Sequence, residues 1–125
     1  MLNDAPVSAI LPATDLDRAK SFYKDKLGLK QADWDMKDPV VFEAGKGTRL
    51  VIYHRAEGTK AEHTVAGFIV DDVEALVKEL KAKGVAFENY DQPGLKTVDH
   101  IASFGPVKSA WFKDSEGNIL ALNQM

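Results

Sequence analysis

Two stretches of this chain, seventy positions apart, follow one pattern: Pro39 to Tyr53 runs PVVFEAGKGTRLVIY, and Ser109 to Asn123 runs SAWFKDSEGNILALN. In that alignment Phe42 falls on Phe112, Gly47 on Gly117, Leu50 on Leu120, Val51 on Ala121 and Ile52 on Leu122. Each copy reads as a hairpin, with a strand ending near Phe, a Gly-containing turn, and a second strand of alternating apolar character. The repetition extends upstream. Asp15-Leu16 and Asp72-Val73 each open a helical pattern that closes at a glycine, Gly28 and Gly84, and fifty-six positions separate the matching Trp34 and Tyr90. Such self-similarity restricts the fold to two copies of one supersecondary unit. The expectation is an α+β protein of two tandem βαβββ units, residues 1–57 and 63–125, within one domain.

Along the chain, Val7 to Leu11 predicts a strand that stops at Pro12, where the ladder donor is missing. Thr14 or Asp15 then caps a helix through Leu27, with Leu16, Ala19, Phe22, Tyr23 and Leu27 on one face and Arg18, Lys20, Lys24, Asp25 and Lys26 toward water. Leu29 to Trp34 is an extended element that bends at Asp33, Asp35 and Asp38, read as a solvated acidic edge. Arg55 to Thr64 is a polar join. Beyond it Val65 to Val70 is a strand, Asp71 or Asp72 caps a helix with Val73, Leu76, Val77 and Leu80 inward, and Val85 to Tyr90 is again extended. The second copy then inserts fourteen extra residues between Tyr90 and its hairpin. This connection, Asp91 to Val107, reads as a loop serving as a lid or pocket rim.

The chain has no cysteine, so thiol nucleophiles, thiolate ligands and disulfides are excluded. A net charge of −3 with both signs interspersed gives no face suited to phosphate backbones, and nucleic acid is not an expected partner. The first residues carry Asp4 and Pro6 and no basic region ahead of a long apolar run, and no window is long and apolar enough to span a bilayer. A cytoplasmic protein with no membrane association is expected.

Thr14-Asp15-Leu16 and Phe22-Tyr23 ahead of Leu27-Gly28-Leu29, with Asp114-Ser115-Glu116-Gly117-Asn118 near the end of a doubled βαβββ pattern, resemble the vicinal oxygen chelate superfamily. This is the glyoxalase, bleomycin-resistance and extradiol-dioxygenase group. The resemblance covers essentially the whole chain. It implies curved mixed sheets around a cavity, and a homodimer with pockets at or near the subunit contact. It also implies four metal-ligand positions, on the first and last strand of each unit, where the family's enzymes place His or Glu. Carried over, those positions hold Ser8, Val51, Val65 and Ala121. Aliphatic side chains have no lone pair to give, so no metal and no cofactor is expected. A slip of two residues would bring Tyr53, His63 or Asn123 into play without assembling three strong ligands.

The residues left to carry function are chiefly aromatic. Trp111 neighbours the core position Phe112 and so faces the opposite side of its strand, where the first unit has only Val41. That difference in size suggests one cavity shaped for a flat or bulky guest. Trp34, Tyr53, Tyr90 and Phe104 are packing or ligand-contact residues. Ser8, Tyr53 and His100 are candidate polar anchors, while His54 and His63 match no metal spacing. Gly45-Lys46-Gly47 is a hairpin turn and not a phosphate loop. The expected function is metal-independent binding of a small organic molecule by Trp111, Tyr53, Trp34, His100, Phe104 and Ser8, with antibiotic sequestration as one role. The alternative is an enzyme of the same group, a lyase, isomerase or dioxygenase, using unconventional ligands or His100 or Tyr53 as acid or base.

Overall fold

The Asp15 carboxylate accepts the Arg18 backbone N–H at 3.0 Å, and the Asp72 carboxylate accepts that of Ala75 at 3.1 Å. Both aspartates sit in extended backbone one residue ahead of a helix, so each fixes a helix start by taking up a donor the helix cannot use itself. In the computed structural model, which describes residues 1–125, these helices belong to two compact units, Met1–Lys60 and Ala61–Met125. No helix is long and apolar enough to cross a membrane.

The first unit comprises β1 (Ser8–Ala13), α1 (Leu16–Ser21), β2 (Lys30–Gln31), β3 (Val40–Glu43) and β4 (Arg49–His54). Its sheet order is β1-β4-β3-β2, with β1 parallel to β4 and the other pairs antiparallel. Leu11, Ala13, Val40, Phe42, Leu50 and Ile52 form the buried face, against Ala19, Phe22 and Tyr23. Tyr23 and Phe42 meet with ring centroids 5.7 Å apart. Burying side chains of this size contributes about 1.5–3 kcal/mol each.

Two local expectations need correction here. Pro12 does not end the first strand but lies within it, in register with Tyr53. Strand β1 pairs on one side only. The Ala13 carbonyl accepts from the Arg55 N–H at 2.9 Å, so by alternation the backbone of Pro12 faces away from β4, where a missing donor costs the ladder nothing. The helix likewise does not run to Leu27 in α form. It widens into a π-helical turn over Phe22–Lys26, closed by Leu27 N–H to Phe22 O at 3.2 Å, and that turn carries the adjacent Phe22 and Tyr23, both buried.

The second unit comprises β5 (Thr64–Ile69), α2 (Val73–Ala82), β6 (Asp91–Gln92), β7 (Leu95–Lys96), β8 (Ala102–Phe104), β9 (Val107–Lys113) and β10 (Ile119–Gln124). The order β5-β10-β9-β8, with β5 parallel to β10, repeats that of the first sheet. Ala110, Phe112, Leu120 and Leu122 form the buried face, and Val73, Val77 and Leu80 are the buried residues of α2. The turn between β9 and β10 is held by one buried carboxylate. Asp114 accepts the backbone N–H groups of Glu116 and Asn118 at 2.8 and 2.9 Å and the Asn118 side-chain amide at 2.8 Å.

The Asp91 to Val107 connection, expected as a loop, contains a short hairpin of β6 and β7 and a further strand, β8, on the edge of β9. A two-residue turn, Gly105-Pro106, joins β8 to β9, and Gly105 supplies the positive φ, 61°, that such a tight hairpin requires. Val85 to Tyr90, expected to be extended, forms no named strand; it meets β9 through the Phe87–Phe112 bridge and the Glu88 N–H to Trp111 O bond, and Tyr90 O accepts the Thr97 N–H at 2.9 Å. The edge of β9 is shared: Phe87 pairs near one end and β8 at the other.

Candidate functional site

Strand alternation gives each sheet one face packed on its helix and one open face. In the first unit Leu11, Leu50 and Ile52 face inward, which puts Ser8, Ile10, Val51 and Tyr53 on the open side. Val51 lies in register between Ile10 and Val41. Tyr53 is 36% exposed and Ile10 62%. Trp34 stands at the edge of this sheet, beside a shallow depression of about 230 Å³ that Val41, Glu43, Arg49 and Lys30 also line.

In the second unit Phe112, Leu120 and Leu122 face inward, which puts Trp111, Ser109, Ala121, Asn123 and Gly67 on the opposite face, where Gly67 is exposed, Trp111 and Asn123 are half-buried, and Ser109 and Ala121 are covered by their neighbours. Phe104, 44% exposed, follows them by its pairing with Val107. Across the strands Trp111 is level with Ala121, and Ala121 with Gly67, so the indole adjoins a floor almost without side chains. The Tyr90 ring stands perpendicular to the indole, with centroids 5.4 Å apart and an interplanar angle of 88°. Burial, and then the nearby Glu88 carboxylate, push the Tyr90 phenol above its ordinary range, so it remains a neutral donor near neutral pH.

Beside this floor lies a polar pair absent from the expected site. The Ser109 hydroxyl donates to Asn123 Oδ1 at 2.7 Å. Gly67 makes room for that amide, because a Cβ there would stand 3.0 Å from Asn123 Nδ2. With Oδ1 held by serine, the amide N–H₂ becomes the group available to an incoming acceptor.

His100 is not an open-face residue. Its Nδ1 lies 3.3 Å from the Glu88 carbonyl and its Nε2 3.2 Å from Lys81 Nζ, on the side of the sheet that α2 covers. An ammonium can only donate, so in this contact Nε2 is the acceptor and Nδ1–H the donor to the carbonyl. The position follows from the backbone. Val98 and Ile101 exchange both hydrogen bonds around a turn whose central residues, Asp99 and His100, have φ 51° and 71°. Non-glycine residues in this region cost on the order of 1 kcal/mol or more each. Of the other histidines, His54 donates its backbone N–H to Asp38 Oδ1 at 3.2 Å, and His63 is exposed just before β5.

The profile of the Glyoxalase/Bleomycin resistance protein/Dioxygenase superfamily matches residues 6–122. The chain belongs to this superfamily. Among solved structures with the same fold are a Glyoxalase/bleomycin resistance protein/dioxygenase superfamily member from Sphaerobacter thermophilus, at 20% identity over 100% of both chains with TM-score 0.75, and lactoylglutathione lyase from Agrobacterium tumefaciens, at 21% identity over 99% of this chain and 96% of that one with TM-score 0.73. A third is TnmS3, an antibiotic binding protein from Streptomyces, at 24% identity over 97% of each chain with TM-score 0.71. No curated protein matches the sequence at a significant level.

The divalent metal found in enzymes of the Glyoxalase/Bleomycin resistance protein/Dioxygenase superfamily does not fit the residues this member presents. Ser8 offers one hydroxyl, Val51 and Ala121 are hydrocarbon, and Val65 falls where the β5–β10 register shifts. No group of three or more His, Cys, Asp or Glu side chains is placed to hold an ion.

Proposed function

We propose that this superfamily member is a metal-independent binding protein that holds an aromatic or hydrophobic organic ligand on its open face, as a homodimer, with antibiotic sequestration as its role. The observation that carries the reading is the pairing of Trp111 with Ala121: at a position where an enzyme of the family would need an electron-pair donor, a methyl group borders an indole. A flat ligand stacked on the half-buried Trp111 indole, beside Ala121 and the exposed Gly67, gains its buried area plus about 0.5–1.5 kcal/mol for ring-on-ring geometry. The Asn123 amide supplies one directional contact, in keeping with ligand sites that combine apolar walls with few polar groups. TnmS3, an antibiotic binding protein with the same fold, is consistent with this role.

The test is a fluorescence titration of chelator-treated protein with a panel of aromatic antibiotics. The chain has two tryptophans, so a Trp34→Phe background isolates Trp111. Saturable quenching that disappears in Trp111→Ala, with the circular dichroism spectrum unchanged, supports the reading. An absence of saturable quenching across the panel, or ligand binding that appears only after a transition metal is added, overturns it.

A further inference from the structure

The inserted stretch that sets the second unit apart from the first builds one wall of an open cleft of about 740 Å³, and α2 builds the other. Glu74, Val77, Lys78 and Lys81 recur at helical spacing and present one stripe of α2 to it. The cleft collects Lys78, Lys81, Lys96 and Lys108 against two carboxylates, Glu74 and Asp99, in a chain whose net charge is −3. Glu74 is already bonded to Lys108 at 2.8 Å. Lys81 meets the His100 ring nitrogen, at 3.2 Å, instead of a carboxylate. Lys78, Lys81 and Lys96 therefore face the cleft with Asp99 as the remaining counter-charge. The turn that shapes this wall favours glycine at its second central position, yet His100 occupies it, and the imidazole ties Lys81 to the Glu88 carbonyl. Val98, 67% exposed, and Ile101 add an apolar patch beside the lysines.

We propose that this cleft binds a small organic anion, taking its phosphate or carboxylate oxygens with Lys78, Lys81, Lys96 and the Ser103 hydroxyl and its apolar body with Val98 and Ile101. His100 is a positioning residue that aims Lys81. The site is separate from the open face around Trp111 and has no counterpart in the first unit, which lacks the insertion.

Titration of ¹⁵N-labelled full-length protein with inorganic phosphate and, separately, with benzoate, at constant ionic strength against chloride, tests this. Saturable amide shifts confined to α2 and residues 95–104 are expected for at least one probe. Saturation by phosphate alone identifies a phosphate ester as the ligand class, and saturation by benzoate alone a carboxylate. The Lys78→Gln/Lys96→Gln variant, changed at exposed positions, should bind at least tenfold more weakly. His100→Gly, which suits the turn, should keep the fold and bind several-fold more weakly. Trp111→Ala should leave these shifts unchanged, which separates this site from the proposed open-face function. Shifts no more saturable than with chloride, or unaltered binding by the double lysine variant, would overturn the proposal.

Discussion

Trp111 stands level with Ala121 across the antiparallel β9–β10 ladder, and the equivalent pair in the first unit is Val41 with Val51. One unit therefore joins a large side chain to a small one where the other joins two of middle size. Filling the small position should abolish any guest stacked there. Ala121→Leu is expected to weaken ligand quenching by more than tenfold, while overpacking lowers stability by about 1–3 kcal/mol. Parallel fluorescence titration and urea denaturation measure the two effects.

Gly67 and Asn123 should show strong coupling. Gly67→Ala places a methyl 3.0 Å from the Asn123 amide, which must swing aside and loosen its bond to Ser109. Alone the substitution should destabilise by about 0.5–1.5 kcal/mol, the scale of one hydrogen bond. In an Asn123→Ala background the clash is gone, and the same change should stabilise by about 0.5–1 kcal/mol, because alanine leaves the unfolded chain less entropy to lose. A double-mutant cycle by chemical denaturation reads the sign reversal.

Asp114 is 6% exposed and holds three donors with one carboxylate. Asp114→Ala strands those donors at the turn on which the β9–β10 register depends. A loss of about 3 kcal/mol or more is expected, since bonds to a charged acceptor carry about 1.5–3 kcal/mol each and do not add fully. Thermal unfolding followed by circular dichroism checks it.

The alkaline limb of stability should carry a Tyr90 signature. Its folded pKa is raised, so its contribution is complete below the ordinary tyrosine value of 10.0 and is lost as pH climbs through the folded value. Lys108, raised mainly by its hydrogen bond to Glu74, acts in the same direction above 10.5. Urea midpoints measured from pH 7 to 11 should fall more steeply for the wild type than for Tyr90→Phe above pH 10.

Metal removal should change nothing in ligand binding. Dialysis against a chelator, followed by elemental analysis and a repeat titration, is expected to leave quenching through Trp111 at full amplitude.

What could be read from the sequence was what short-range chemistry fixes. The Phe42 and Phe112 hairpins and the Asp15 and Asp72 caps depend on neighbours within a few residues, and the structure keeps all four. Pro12 reads as a strand end because its tolerance depends on which side of β1 carries a partner, a property of the sheet and not of the strand. Residues 91–104 read as a loop because their strands are two or three residues long, too short for alternation to register. The side on which His100 lies depends on a turn with two positive φ values and no glycine to announce it. The Ser109–Asn123 bond was within reach of the sequence. Once the Asp114 to Asn118 turn is set, the ladder obliges those residues to face each other.

The extra hairpin has a consequence for how such a scaffold can change. It enters after Tyr90 and returns to the sheet at β8, leaving the ladder of β9 with β10 and the parallel pairing of β10 with β5 intact. Its length and composition can thus be exchanged without rewiring the strands that carry Trp111, which makes this segment a natural place to graft a new specificity onto one half of a duplicated protein while the other half keeps the parental design.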